Sequence, residues 1–553
     1  MFTRFECLAN EIIYEIFDYL DSIFIFCAFY NLNQRFQQFI LPYTWTIDLT
    51  NVSYSIYHYY YSQIAGNFHK NVRQLKIGGE KASCQQLNML TLIPLGFHPN
   101  LTSLSVSNIP SHSLLIPLNQ ILLNNQQLKQ LSIKNVYFKF LVTTTITHLT
   151  ICLLTVTELF HLFDLIPCVQ YLNTQLKTFD DGWDNIRLEQ KCQDMKKKLP
   201  NLNTFHLHIE NLVYDEMLRL LLENLQHLTR LSLLLHYCRS PCFYLPVEQY
   251  YALLAMSKLE KLEFLITFGT NDESTTIDTI INLFKTNYFL DKKLIVGCHL
   301  VENNYYVIYS LPYSFSNIEL SNKFLQRQTN IETNEKYLWK QVTNIKIILS
   351  TSLPSAESLL NTINLLFPNV IDLQVNIADD NDGGNLVTCT SNNIFNLNYK
   401  LNVQKLKFNT VSHDNLAVLL LLHYFPSKLE LSFNLFSIMT IAPNNETIFF
   451  NIQELTMVSK FNFNLSKICQ YFSNVRKLIL SILDRNKNSW RNGYFKRKQV
   501  DFILDNMKEL CYLEMKPFID LKSFYDFKKQ RFLTRIKGFQ FEYFERCCVK
   551  LIK

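Results

Sequence analysis

The sequence predicts an α/β solenoid in which short strands alternate with outer helices, preceded by a small helical bundle. Three observations predict it. A short apolar pattern recurs along most of the 553 residues, apolar stretches at helical spacing lie between its copies, and the first 45 residues lack the pattern and carry a helical stripe instead.

The pattern is apolar-x-x-apolar-x-apolar with polar residues in the gaps. Clear copies are Val72-Leu75-Ile77, Leu101-Leu104-Val106, Leu128-Leu131-Ile133, Ile146-Leu149-Ile151, Leu202-Phe205-Leu207, Leu228-Leu231-Leu233 and Leu259-Leu262-Phe264. The second half continues with Val342-Ile345-Ile347, Val370-Leu373-Val375, Val403-Leu406-Phe408, Ile452-Leu455-Met457, Val475-Leu478-Leu480, Leu510-Leu513-Met515 and Ile536-Phe539-Phe541. Weaker copies centre on Leu172, Leu294, Leu320 and Leu431. The mean period is about 27 residues, with spacings of roughly 18 to 35, within the range of leucine-rich repeats. Register is least defined between 266 and 340. Before many copies stands a hand-over such as His98-Pro99-Asn100, Leu199-Pro200-Asn201, Phe367-Pro368-Asn369 or Phe472-Ser473-Asn474. Proline ends a helix and favours extended backbone before it. Upstream, Leu218, Leu221, Leu222 and Leu225, and likewise Leu359, Leu360, Ile363 and Phe367, recur at helical spacing. Each unit is therefore one strand plus one helix. Neither buries its apolar face alone, so the units stack into a horseshoe or arc.

Strand side chains alternate in direction, so the residues flanking each central position share the face away from the core. They are polar: Gln74 and Lys76, Ser103 and Ser105, Gln130 and Ser132, Thr204 and His206, Arg230 and Ser232, Lys261 and Glu263, Asp372 and Gln374, Lys405 and Lys407, Glu454 and Thr456. An extended wet surface without a pocket suits a macromolecular partner better than a metabolite. His206 and His208 share that face, where either a ligand or simple solvation accounts for them.

In residues 1–45, Ile12, Ile13, Ile16, Phe17 and Leu20 stripe one helix. Asp21-Ser22 starts a second, and Leu32, Phe36, Phe39 and Ile40 stripe a third that Pro42 ends. About 40 residues bury too little to stand alone, so exposed apolar area is expected here. The run from Leu8-Ala9-Asn10-Glu11-Ile12-Ile13 through Ile16-Phe17-Asp18-Tyr19-Leu20-Asp21, with Leu32-Asn33-Gln34-Arg35-Phe36 behind it, resembles the F-box. The family opens with Leu-Pro where this chain has Leu8-Ala9, and has Asp-Leu where this chain has Phe24-Ile25. An F-box-like start followed by leucine-rich repeats is similar to the F-box/leucine-rich-repeat family. Three parts follow: an F-box-like motif at 1–45, a linker or cap at 46–70 and an irregular repeat solenoid at 71–553. The resemblance implies the substrate receptor of an SCF-type, cullin-RING ubiquitin ligase. Leu8, Ala9, Ile12, Ile13, Ile16 and Phe17 would dock a Skp-type adaptor and its cullin complex, and the repeats would hold a target protein. The alternative is a stand-alone scaffold or inhibitor in which the N-terminal helices only cap the solenoid.

Composition agrees with an ordered, non-enzymatic binding protein. Hydrophobic residues make up 48% and charged residues 18%, a mix that sustains a long core rather than disorder. The net charge of +6 is small for this length and argues against a nucleic-acid partner. Fourteen cysteines without any CxxC point to reduced thiols in the cytoplasm or nucleus, mostly as small core residues. Glu6, Glu11, Glu15, Asp18 and Asp21 stand where the apolar core of a signal peptide would lie, and neither a signal peptide nor a membrane span is expected. GxGxxG, Walker, GxSxG and HExxH motifs are all missing, and no cofactor or metal is expected. The His236-to-Cys242 segment lacks a second ligand pair for zinc, and Asp379-to-Gly384 lacks the glutamate of a calcium loop. The basic stretch Arg485, Lys487, Arg491, Lys496, Arg497 and Lys498, which includes Trp490 and Tyr494, has the composition of a nucleic-acid contact or of a solvated loop.

Overall fold

A computed structural model of the chain describes residues 7–50, 52, 54–78, 98–108, 111–137, 142–178, 195–212, 215–225, 227–237, 258–269, 276–284, 295–302, 305–321, 338–349 and 365–377. Further on it describes 405–410, 428–432, 452–459, 474–482, 512–516, 540–544 and 548–552, with isolated positions between these segments. The His236-to-Cys242 segment beyond Tyr237, the acidic run at 379–384, the basic run at 485–498, and the expected centres Leu294 and Phe539 lie outside the described residues. Contacts divide the chain into one unit of Met1–Val296 with Ile308–Ser310 and a second of Gly297–Val307 with Leu311–Lys553.

The first unit opens with three short helices, α1 (Asn10–Asp18), α2 (Ser22–Phe29) and α3 (Gln34–Ile40). A 3-10 turn over Leu41–Trp45 leads into strand β1 (Thr46–Asp48). Helix α4 (Tyr54–Tyr59) continues through a π-turn at Tyr60–Ile64 into α5 (Ala65–Phe68). The stretch expected as a linker or cap thus carries strand β1 and helices α4 and α5.

Strands β2 (Gln74–Gly78), β3 (Ser103–Ser107), β4 (Gln130–Tyr137), β5 (His148–Leu153), β6 (Tyr171–Leu176), β7 (Thr204–Leu212), β8 (Arg230–Tyr237) and β9 (Lys261–Gly269) follow β1 in sequential order and pair in parallel. Their central residues stay in register: Ile47, Leu75, Leu104, Leu131, Leu149, Leu172, Phe205, Leu231 and Leu262. All of these are buried, which is what fixes the register, since a one-residue slip would turn each of them to solvent. Helices between the strands bury leucine and phenylalanine behind them. The helix at Val156–Leu165 buries Leu159, Phe160, Leu162 and Phe163, and the helix at Asp215–Glu223 buries Leu218, Leu221 and Leu222. Thr155 caps the former by accepting the Glu158 N–H at 3.4 Å, while Glu158 accepts the Leu154 N–H at 2.8 Å.

One junction recurs in many of the described repeats. The first apolar residue of the pattern donates its N–H three residues back, as Leu101 does to His98, Leu128 to Asn125, Leu202 to Leu199 and Val370 to Phe367. The carbonyl just ahead of each strand then accepts two successive N–H groups from the next repeat. Arg73 accepts from Thr102 and Ser103, Thr102 from Lys129 and Gln130, and Lys129 from Thr147 and His148. Where the first donor is threonine, its hydroxyl joins the same carbonyl, at 3.1 Å for Thr102 and 3.2 Å for Thr147. The hand-over asparagines have a matching role: Asn100 and Asn369 donate to the Lys70 and Lys340 carbonyls at 2.7 and 2.8 Å. Gly78 closes β2 with φ +116°, and a Cβ there would meet the Ser107 oxygen at 1.9 Å, so only glycine fits.

The expected blur from 266 to 340 has a structural cause. Strand β10 (Ile295–Glu302) and β11 (Tyr305–Leu311) end the first sheet in the order β9-β11-β10, joined by two residues, too few for a parallel crossover. Tyr306, Val307, Ile308 and Tyr309 are consecutively buried, so no in–out alternation marks the strand.

The second sheet runs β12 (Asn317–Ser321), β13 (Asn344–Leu349), β14 (Asp372–Ile377), β15 (Lys405–Thr410), β16 (Lys428–Ser432), β17 (Glu454–Ser459), β18 (Lys477–Ile482) and β19 (Tyr512–Lys516), all parallel. It ends in β20 (Gln540–Phe544) and β21 (Cys548–Ile552), which pair antiparallel. Ile318 and Leu429, rather than the expected Leu320 and Leu431, hold the central register, since they align with Ile345 and with Leu406 and Leu455. The architecture is α/β, dominated by parallel sheet and compatible with a solenoid. Among the described residues no helix is long and apolar enough to cross a membrane. Cys152 and Cys469 are buried thiols as expected, whereas Cys7 and Cys168 are exposed. Burial pushes the Cys298 thiol up to about 12 and that of Cys469 to about 11.

Candidate protein-docking faces

Helix α1 carries two apolar stripes. The inner one, Ile13 and Phe17, is wholly buried, with the Phe17 ring 4.8 Å from Phe29 and 5.6 Å from Tyr43. Tyr43 donates to Asp18 Oδ1 at 2.7 Å, and its burial and that bond raise the phenol pKa. The outer stripe is Ile12, Ile16 and Leu20, with Leu8 and Ala9 ahead of it. Ile12 is 44% exposed and Leu20 39%, while Ile16 and Leu8 are half-buried and Ala9 is exposed. Of the six residues expected to meet an adaptor, Leu8, Ala9, Ile12 and Ile16 therefore keep free surface. Ile13 and Phe17 do not, because a side chain already buried in its own core has no water left to shed on docking.

The start of α1 is unusual. Ala9 is its N-cap at φ −60° and ψ 150°, without a side-chain capping bond. That φ is the one proline imposes, so alanine here leaves the local backbone shape unchanged. Arg35 of α3 reaches across instead, its Nη2 donating to the Leu8 carbonyl at 2.7 Å and to Asn10 Oδ1 at 2.6 Å. Its guanidinium also lies 5.2 Å from the centre of the Phe39 ring. Asn33 caps α3 by accepting the Phe36 N–H at 3.1 Å. Asp21 occupies the N-cap of α2 but makes no such bond. Leu32, expected in the α3 stripe, precedes that cap and is half exposed.

The inner side of the helices rests on the first repeat. Phe26 stacks on Phe68 at 6.0 Å and lies 6.2 Å from Tyr60, Tyr30 meets Phe68 edge-on at 5.5 Å, and Asn67 donates to the Tyr30 hydroxyl. The same N-terminal segment leaves many apolar side chains open: Ile12, Tyr14, Tyr19, Leu20, Phe24, Leu32, Leu41 and Trp45 are all exposed. Elsewhere among the described residues only Leu123, Leu154, Ile295 and Ile371 are exposed large apolar side chains. Sequence periodicity missed Phe24 because α2, Ser-Ile-Phe-Ile-Phe-Cys-Ala-Phe, is apolar all round and names no outer face.

The open face of the first sheet is polar, as expected, and is densest in rings across β5 to β8. His148 stacks on Tyr171 at 5.9 Å, Tyr171 meets His206 at 5.2 Å, and His208 meets His236 edge-on at 5.6 Å. His236 Nδ1 lies 2.9 Å from the Thr267 hydroxyl. Gln175 donates to Glu210 at 2.6 Å, and Lys261 pairs with Glu263 at 2.6 Å. Burial lowers the His206 pKa and, helped by neighbouring His236, takes His208 down to about 4, so both rings are neutral at pH 7. Among the described residues no group of three or more His, Cys, Asp or Glu side chains is placed to hold a metal ion.

No protein-family model matches the chain, and no curated protein is similar to it in sequence. Among solved structures it is similar to a yeast complex of Rad7 and Elc1, at 14% identity and a TM-score of 0.30, over 76% of this chain and 88% of that one. An overlap this loose speaks for neither fold nor function.

Proposed function

We propose that this chain is a non-enzymatic recruiting protein, the substrate-recognition subunit of an SCF-type ubiquitin ligase. Its N-terminal helices dock a Skp-type adaptor, and the open faces of its sheets hold a target protein. The observation that carries this reading is the concentration of exposed apolar side chains on one small helical segment. Exposed apolar side chains concentrated in one short segment mark a docking site, and the F-box resemblance of that segment names its occupant. Ubiquitin transfer would then be promoted by proximity, the target's lysines being held beside a separately bound conjugating enzyme.

Co-expression with a Skp-type adaptor tests this. The full chain is expected to retain the adaptor, and the Ile12→Asp, Phe24→Asp double variant to lose it with an unchanged melting temperature, because both side chains are exposed. Leu123→Asp, which places a charge at an exposed site elsewhere, should retain it. Absence of the adaptor from the wild-type complex would refute the reading.

A second reading, a scaffold or inhibitor whose first helices only cap the array, is favoured by the seating of Phe26 and Tyr30 on Phe68. On that reading, removal of residues 1–45 destabilises the first repeats yet leaves target binding by the later ones intact.

A further inference from the structure

We infer that Arg35 is a positioning residue for the docking face: it sets the start of α1, and so the presentation of Leu8, Ala9, Ile12 and Ile16, without itself meeting the partner. The inference rests on the proposed adaptor-docking role of that face.

Helix α1 has nine residues and begins at an alanine, which gives its first N–H groups no side-chain cap. Short helices are marginal on their own, and fraying starts at an uncapped end. A cation is also the wrong charge for a helix N-terminus, where the macrodipole is positive. Arg35 is held there nevertheless by two charge-assisted hydrogen bonds of 2.7 and 2.6 Å, one to the backbone ahead of the cap and one to the first helical side chain. Its guanidinium is braced from behind by Phe39, which is itself buried against Phe36 and Tyr14. The bonds therefore fix the α1 start to α3 rather than neutralise it. Ile12 and Ile16 of the outer stripe lie on the first two turns of α1, immediately beyond this clamp. A face held in its docking conformation before the partner arrives loses less ordering entropy on binding.

The full chain carrying Arg35→Gln tests the inference, with adaptor affinity, amide exchange and melting temperature measured on the same sample. Adaptor affinity is expected to fall about tenfold, the order of one lost charged hydrogen bond. Exchange should rise at the Ile12 and Ile13 amides, while the strand amides of β2 and β3 and the melting temperature stay unchanged. Asn10→Ala should weaken binding less, and its effect should largely vanish on the Arg35→Gln background, since the two groups form one clamp. Unchanged affinity overturns the inference. So does lost affinity with unaltered exchange in α1, which would make Arg35 a direct contact, and so does a parallel loss of strand protection, which would make it a general stability residue. If the wild-type chain binds no adaptor at all, it is the docking role that fails, and the exchange measurement still reports whether the clamp orders α1.

Discussion

The two sheets are each built on a column of apolar residues and differ at the register positions beside it. Both align a column of apolar residues, Leu75 to Leu262 in one and Ile318 to Leu513 in the other. Charged pairs sit at the ends of the first sheet, Asp48 with Lys76 and Lys261 with Glu263, but, among the described residues, not in its middle. Across β3 to β8 the register positions beside that column are mostly serine, threonine, asparagine, glutamine, histidine and tyrosine, with Arg230 the one charge among them. In the second sheet ten of them are charged, Glu319, Lys346, Asp372, Lys405, Lys407, Lys428, Glu430, Glu454, Lys477 and Glu514, and six are not, Asn317, Asn344, Gln374, Thr456, Ile479 and Tyr512. Acids and lysines often alternate across neighbouring strands, as Glu319 and Lys346 do at 2.9 Å. Stability is written in the column and specificity is left to the face, so a repeat protein can change what it reads without changing how it stands.

If the columns are equivalent, Leu149→Ala and Leu478→Ala should each cost about 2–5 kcal/mol, the range for truncating a buried leucine. Denaturant unfolding followed by strand-resolved amide exchange would measure this, and a cost in one sheet only would break the comparison. Gly78→Ala, a change of a single methyl group at the end of β2, is expected to cost about 3 kcal/mol because the new Cβ has no space and the backbone is left-handed. A shift in the urea midpoint smaller than that of an exposed glycine substitution such as Gly66→Ala would contradict it.

Acid should sharpen the contrast. His98 and His208 in the first unit and His299 in the second are held down to about 4 by burial. A histidine whose folded pKa lies below its free value near 6.5 adds stability that is fully present above 6.5 and is lost as pH falls toward 4. His98 and His299, almost fully buried, should each account for about 2–3 kcal/mol over that window. The urea midpoint is therefore expected to drop between pH 7 and pH 4.5, and His299→Gln to flatten the drop in the second unit alone. Thr174 is a smaller probe. It stands in the apolar column between Ile151 and Leu207, with its buried hydroxyl unpartnered among the described residues. Thr174→Val should stabilise by about 1 kcal/mol in the same assay. Least of all, Lys346→Met should change stability by less than about 1 kcal/mol and less still at high salt, because its pair with Glu319 is partly exposed. A larger loss would mean that the charged face serves the fold.

What the sequence made legible follows from burial on one side. Where a strand is buried on one face and wet on the other, as in β2 to β8, the pattern names the centre and the register without error. Where both faces are covered, as in β11, the alternation disappears and so does the register. Two weak centres were displaced by two residues because Ile318 and Leu320 are both buried, Leu429 and Leu431 are likewise two apolar residues two positions apart, and a period of two cannot rank them. Strand β1 escaped notice because Thr44 fills the first apolar slot ahead of Ile47 and Leu49. It is buried all the same, its hydroxyl satisfied by the Leu41 carbonyl at 2.7 Å. The helical stripe on α1 was legible as a whole but not its division into Ile13 with Phe17 inside and Ile12 with Ile16 outside. That division depends on where α2, α3 and Tyr43 lie, which no local period encodes.

The shared carbonyl at each junction bears on how such a chain tolerates change. Lys129 and Thr147 are closed this way across 18 residues, Asn203 and Thr229 across 26, Ser316 and Thr343 across 27, and Arg73 and Thr102 across 29. The closure is the same while the chain between its ends is not, so the length of each excursion is no part of the specification. Residues can be gained or lost on the far side of a repeat, as slack in a stitched seam, and the next strand still arrives with its central leucine at the same height.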